Sequence, residues 1–252
     1  MLSRNDKAKL IRAWLELLRA PNLLTVPGDV LAGWLLVAGP RWHVALIVAS
    51  AASLCFYAFG LVANDILDFK TDTKERPARP LPSRRIQPLT AVSAAMLLVA
   101  AALGLAWLAG SAAFDVGVLL FLVIALYNSM LKAASVIGPL TMGLCRGLNL
   151  LLGVAASATV FAGQPLPSYD LYWALAAGLV LTAYVAVVTT LARREVETGR
   201  AHLIGALLRG LLPLQALFCL LANTGWPSWL AAASLLALWP LSGVLAKRFY
   251  MS

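Results

Sequence analysis

Trp42 to Asp72 read WHVALIVASAASLCFYAFGLVANDILDFKTD, and this stretch decides the fold. Residues 42–63 carry no Asp, Glu, Lys or Arg. About 20 such residues wound as a helix cross a ~30 Å hydrocarbon core. Immediately afterwards the chain turns acidic, with Asn64, Asp65, Asp68 and Asp72 in close succession.

Comparable apolar blocks recur on both sides, at 22–38, 88–109, 115–131, 137–161, 170–192, 203–222 and 227–246, so that eight spans are expected. With 61% hydrophobic and 12% charged residues, a soluble surface cannot be built. The expected fold is an all-α polytopic transmembrane bundle. No linker rich in Ser, Gly or Pro interrupts residues 1–252, which are read as one domain. Residues 1–21 set Lys7, Lys9, Arg12 and Arg19 among Leu10, Ile11, Trp14, Leu15, Leu17 and Leu18, which suits an N-terminal helix lying in the membrane interface. A cleavable signal peptide fits this segment poorly, because its apolar run is short and interrupted by charge.

Charge placement orients the bundle. Arg4, Lys7, Lys9, Arg12 and Arg19 precede the first span; Lys70, Lys74, Arg76, Arg79, Arg84 and Arg85 fill loop 64–87. Lys132, Arg193, Arg194, Arg200, Lys247 and Arg248 fall on the same side, against Arg41 alone on the other. Short cytoplasmic loops are enriched in Lys and Arg, so both termini and the loops 64–87 and 191–202 are expected to face the cytoplasm, as in a bacterial inner membrane. The net charge of +9 thus follows membrane orientation and contact with anionic lipids, and does not point to nucleic acid. Cys55, Cys145 and Cys219 lie apart in apolar spans, and His43 and His202 stand alone, which argues against a disulfide framework or a zinc site. No Ser-His-Asp or Cys-His arrangement for a protein nucleophile is evident.

The chemistry is carried by the acids. If the second span continues helically through Asp72, then at 100° per residue Asp65, Asp68 and Asp72 share an arc of about 60°, with Asn64 beside it. Three carboxylates at a membrane boundary repel one another and call for a cation. Carboxylates with an amide oxygen are hard ligands that suit Mg²⁺ retaining waters and bridging to phosphate. Pro77 and Pro80 stop the helix and stiffen the segment that presents Arg76 and Arg79, whose guanidinium forks suit a diphosphate. The alternative is a solvated helix end, its acids paired with Lys70, Lys74 and Arg76. Arg146 lies deep in a span with Asn149 on the same helical face, so it serves either a cavity ligand or a structural pair with Asp29. Arg209 and Gln215 read as packing devices between helices.

Asn64-Asp65-x-x-Asp68-x-x-x-Asp72 followed by Arg76-Pro77-x-Arg79-Pro80-Leu81-Pro82 resembles the first aspartate motif of the UbiA superfamily of intramembrane prenyltransferases. Arg19-Ala20-Pro21-Asn22 before the first span and Tyr127-Asn128-x-x-x-Lys132 after the fourth extend the likeness. The resemblance implies a helical bundle around a central cavity open to the cytoplasmic side. It implies that a prenyl diphosphate is bound through Mg²⁺ held by Asn64, Asp65, Asp68, Asp72 and Glu195, and that the isoprenyl group passes to a hydrophobic acceptor. Asn22, Arg76, Arg79, Lys132, Arg146, Tyr184 and Arg194 are the corresponding expected substrate contacts. Where the family's second motif usually has two aspartates four residues apart, this chain has Leu191 and Glu195. It also shows eight spans where nine are common. Leu191 leaves a second reading open, a non-catalytic carrier of a lipid or secondary-metabolite precursor. Within the family, Gly143 to Asn149 and Arg194-Glu195-Val196 resemble UbiA-like proteins of the EboC type, linked to secondary metabolites. Phosphatidyltransferases of the CDP-alcohol type also use membrane aspartates, but intersperse glycines among four acids on one segment, a pattern not found here.

Overall fold

In a computed structural model, residues 3–161, 164, 166–198, 201–222 and 224–249 are described; they form helices joined by turns, with no strand among them. In chain order the helices are α1 (Arg4–Leu17), α2 (Ala20–Leu23), α3 (Val26–Ala38), α4 (Val44–Leu67), α5 (Phe69–Glu75), α6 (Pro88–Leu108), α7 (Ser111–Ser129), α8 (Ile137–Ser157), α9 (Ser168–Thr198), α10 (Ala201–Arg209), α11 (Leu211–Leu221) and α12 (Trp226–Phe249). Eight stretches among the described residues are long and apolar enough to cross a bilayer, and they match the eight expected spans to within a turn of helix. The chain is an integral, multi-pass membrane protein.

Three breaks inside or at the end of spans were not anticipated. The first span divides at Leu24 and Thr25, where Pro27 lacks an N–H and the Thr25 hydroxyl donates to the Asn22 carbonyl at 2.8 Å. The seventh divides at Gly210, where an added Cβ would meet the Tyr184 hydroxyl at 2.5 Å. The second ends at Leu67: Asp68 takes φ −84° and ψ 0°, and α5 starts afresh. The expected unbroken helix through Asp72 is therefore corrected to two helices meeting at Asp68.

Buried α3 and α8 form the centre, with α4, α7, α9 and α11 packed around them. Close approach depends on glycine. A Cβ on Gly33 would run into the Leu150 carbonyl, and one on Gly153 into the Val30 carbonyl, so α3 and α8 touch through their backbones. Gly153→Val should therefore lower thermal stability in detergent by on the order of 1–3 kcal/mol or more. Gly104→Ala, at a site where an added Cβ meets nothing within 4 Å, is the control and should be neutral or slightly stabilising.

Large apolar side chains such as Leu97, Leu179, Val187 and Leu230 cover the outside of the bundle. Exposed Trp42, Trp107, Tyr172, Trp173, Trp226 and Trp229 cluster at the end opposite the acids, as side chains of a membrane interface do. At the acidic end, Ala13 and Leu17 of α1 pack with Val62, Leu81, Ile86, Ala91 and Ala95. Arg85 Nη1 meets Glu16 Oε2 at 2.5 Å, fastening α1 to the proline-rich segment after α5. Together they form a cap over that end.

Candidate active site

A cavity of about 550 Å³ opens beneath this cap. One wall is a single stripe of α4, since Ser53, Tyr57, Gly60 and Asn64 recur at helical spacing, and Asp68, Asp72, Arg76 and Arg79 continue it to the mouth. Tyr127 and Asn128 of α7, Cys145, Arg146 and Asn149 of α8, and Thr189, Ala192 and Arg193 of α9 face them. The Asn128 amide donates to the Gly60 carbonyl at 3.2 Å and fixes α7 against α4.

At the mouth, acids and bases interleave. Lys132, on a 3₁₀ turn after α7, forms an ion pair with Asp68 Oδ1. Arg79 Nη1 reaches Asp72 Oδ2 at 2.7 Å and lies 3.9 Å from Asp65 Oδ1. The Asn64 amide is 3.5 Å from Asp65 Oδ1. Arg193 donates to the Lys132 and Ala134 carbonyls, each at 2.5 Å, and so holds the turn that presents Lys132.

The three aspartates border two adjoining spaces. Asp68 and Asp72 line the cavity, whereas Asp65 lines a broader groove between α1 and the segment 76–85. Arg19, Glu75, Arg76 and Arg79 border both spaces. Asp65 and Asp68 are offset by about 60° around the helix axis, and Arg79 Nη1 lies within 4 Å of both Asp65 and Asp72 where the two spaces meet. Among the described residues no three His, Cys, Asp or Glu side chains converge on one point. Mg²⁺ does not need such a cage, because it is commonly held by one or two carboxylates together with waters and substrate phosphates. The ion pairs to Lys132 and Arg79 engage one named oxygen each of Asp68 and Asp72. With Asn64 on the same wall, the donor set is hard, anionic and beside cations suited to a phosphate, and it fits Mg²⁺.

The other expected contacts divide. Arg76, Arg79, Lys132 and Arg146 stand at or in the cavity region, while Asn22 lines the adjoining groove with Asp65. Tyr184 is not brought to the cavity; its hydroxyl donates to the Leu207 carbonyl at 2.7 Å across the break before α11. Arg146 takes the structural role left open by the sequence: Nε lies 3.0 Å and Nη2 3.2 Å from the Asp29 carboxylate. Asn149 donates to Asp29 at 2.9 Å and Gln215 at 2.5 Å, so α3, α8 and α11 are bound through one buried acid. The side chains of Arg194 and Glu195 lie outside the described residues, while that of Leu191 is exposed. Arg19 and Arg193 are site residues the sequence reading did not select. Arg19 stood in the quoted Arg19-Ala20-Pro21-Asn22 segment, and its backbone takes a left-handed φ of 47° without glycine. Arg193 had one in sequence, since it falls with Thr189 and Ala192 on one face of α9.

The profile of the UbiA prenyltransferase family matches residues 28–248. The chain belongs to the UbiA prenyltransferase family. It is similar to the digeranylgeranylglyceryl phosphate synthases of Methanopyrus kandleri, 31% identical over 145 residues, and Ignicoccus hospitalis, 34% over 158. Those matches take in 58% and 61% of this chain but 53% and 50% of the relatives, so the chain spans about half the length of the curated relatives it matches. Among solved structures, a UbiA homolog from Archaeoglobus fulgidus bound to GPP and Mg²⁺ superimposes with a TM-score of 0.61 at 14% identity, covering 94% of this chain and 96% of that one. A digeranylgeranylglyceryl phosphate synthase structure gives 0.59 at 20% identity, over 94% and 88% of the two chains. These structures establish the UbiA fold. The named relatives are archaeal, so the expected bacterial inner membrane finds no support among them, and they bear on the family rather than on the EboC-type subgroup.

Proposed function

We propose that this UbiA-family chain is an Mg²⁺-dependent intramembrane prenyltransferase that moves an isoprenyl group from a prenyl diphosphate to a hydrophobic acceptor. The observation that carries the reading is the wall of Asn64, Asp68 and Asp72 beside Arg76, Arg79 and Lys132 at the mouth of a largely apolar cavity. In it, Asn64, Asp68 and Asp72 hold Mg²⁺, which when bound supplies Lewis-acid polarisation of the diphosphate oxygens. Arg76, Arg79 and Lys132 grip the same oxygens and stabilise the charge that grows as the carbon–oxygen bond breaks. Phe56, Leu61, Leu120, Ile124 and the rings of Tyr57 and Tyr127 keep water from the allylic cation. The acceptor then bonds to that carbon and gives up a proton. Glu195 is assigned to a second, weaker acidic contact from α9, and Arg194 to a neighbouring phosphate contact.

The relatives' name makes a glyceryl phosphate lipid the first acceptor to offer. Aromatic compounds and secondary-metabolite precursors come second, in line with the EboC-type resemblance. Both termini and the cap are assigned to the cytoplasmic side, where the Lys and Arg residues gather. Residues 1–252 act as one domain.

Purified protein given labelled prenyl diphosphate, Mg²⁺ and acceptor should release diphosphate and form labelled lipid, and EDTA should stop both. Binding without release under every acceptor favours the carrier reading, for which Leu191 in an acidic position is the specific support. Arg79→Ala and Lys132→Met should each raise the KM for the donor on the order of 10- to 100-fold, as measured by initial rates, because each removes a charged hydrogen bond. An unchanged KM in both would remove them from the diphosphate site.

A further inference from the structure

Lys132 stands on a turn that packing does not hold. Residues 130–136 join α7 to α8; none of Leu131, Lys132 and Ala133 is buried, and Met130, Val136 and Ile137 beside them are exposed. A 3₁₀ turn this short has little rigidity of its own, so hydrogen bonds must fix it. Within the segment, the Ala134 N–H donates to the Leu131 carbonyl at 3.0 Å and the Gly138 N–H to the Ala134 carbonyl at 3.2 Å. From outside, both terminal nitrogens of Arg193 enter it, Nη1 on the Ala134 carbonyl and Nη2 on the Lys132 carbonyl. Their base is firm. α9 lies against α8 through backbone, because a Cβ on Gly143 would run into the Thr182 carbonyl and one on Gly147 would stand 2.9 Å from the Gly178 carbonyl. From Thr182 the helix continues unbroken to Arg193, about 16 Å further at 1.5 Å per residue. There Gly138, in the first turn of α8, leaves a slot for the guanidinium: an added Cβ would collide with Arg193 Nη2.

Arg193 also lines the cavity, which by location alone would make it one more phosphate contact. Its fork is used otherwise. With both Nη atoms spent on carbonyls at 2.5 Å, the nitrogens that would grip a diphosphate bidentately are committed to the chain. We propose that Arg193 is a positioning residue, holding the backbone of Lys132 so that the ammonium beside Asp68 stays within reach of the donor diphosphate. This rests on the donor reading above and names the residue behind one of its cations. The lysine stem is long and flexible, so the place of its root decides how often the ammonium reaches the mouth.

The test is a cycle of affinities for geranyl thiolodiphosphate with Mg²⁺, measured by titration calorimetry in detergent, with the unfolding temperature of each variant recorded. Arg193→Gln should weaken binding about tenfold in the wild-type background and less than about twofold in Lys132→Met, because the two losses share one contact. In Arg79→Ala the same change should still cost about tenfold, since Arg79 is held by Asp72 and not by the turn. A merely structural role would instead lower the unfolding temperature and cost the same in every background. Arg193→Lys keeps the charge but cannot bridge two carbonyls, and should lose nearly as much as Arg193→Gln. Gly138→Ala, which pushes the guanidinium from its slot, gives a second route to the same loss where Arg193→Gln impairs folding. An unweakened Arg193→Gln, a loss as large in Lys132→Met as in wild type, or wild-type affinity in Arg193→Lys overturns the positioning role while sparing the donor site. Failure of wild type to bind the analogue overturns the donor reading and the positioning role together.

Discussion

Asp68→Ala or Asp72→Ala should lower the proposed prenyl transfer by on the order of a thousandfold or more while leaving the amount of inserted, folded protein unchanged. The size follows from what is lost: a metal-holding oxygen pair at the point where diphosphate charge grows, in surroundings drier than water. The folding half of the expectation follows from location. Asp68 is at a helix junction with its side chain about a third exposed, and Asp72 is at the cavity mouth, so neither supports the packed core. Asp65→Asn provides the contrast. Asp65 borders the adjoining groove, 3.9 Å from Arg79, and its replacement should cost less, mainly through looser placement of Arg79. Rates of labelled diphosphate release, with size-exclusion profiles of each variant, check all three. Equal losses for Asp65→Asn and Asp68→Asn would mean that the two acids act on the same ligand.

Replacing Asp29 by Ala should destabilise the fold by about 3–5 kcal/mol, the cost of stranding a buried charge. Arg146 is 6% exposed and its carboxylate partner is fully buried inside a membrane span, so little solvent compensates the loss. Asn149 and Gln215 lose the same acceptor, which loosens α8 and α11 from α3 together. The paired change Asp29→Leu with Arg146→Met should recover most of the stability, because replacing both charges by apolar groups removes the stranded partner. Thermal unfolding in detergent of the two single variants and the double variant forms the cycle. Single variants as stable as wild type would show that the pair does not hold the helices.

The spans were legible because a bilayer accepts few alternatives: about 20 apolar residues, bounded by charge, leave little else for 42–63 to be. The acid array was legible because Asn64, Asp68 and Asp72 keep helical spacing even across a break. The partners of these acids were not legible, since an angle along one helix does not reveal which neighbour stands beyond it, and Arg79 returns from the proline-rich segment to meet both Asp65 and Asp72. Arg146 was visible as an expensive buried charge, and Asp29 as one candidate partner. Choosing between pair and ligand required knowing that α3 and α8 approach through Gly33 and Gly153. Tyr184 and Arg193 show what remains hidden. Each bonds to backbone carbonyls, which every residue carries, so no residue type in the sequence marks the partner.

Anomalous scattering from Mn²⁺, substituted for Mg²⁺ in crystals grown with a prenyl thiolodiphosphate, tests the metal assignment most directly. The expected result is a peak about 2 Å from carboxylate oxygens of Asp68 or Asp72, with diphosphate oxygens between it and Lys132 and Arg79. A peak in the groove beside Asp65, or a diphosphate bound away from Asp68 and Asp72, would contradict it.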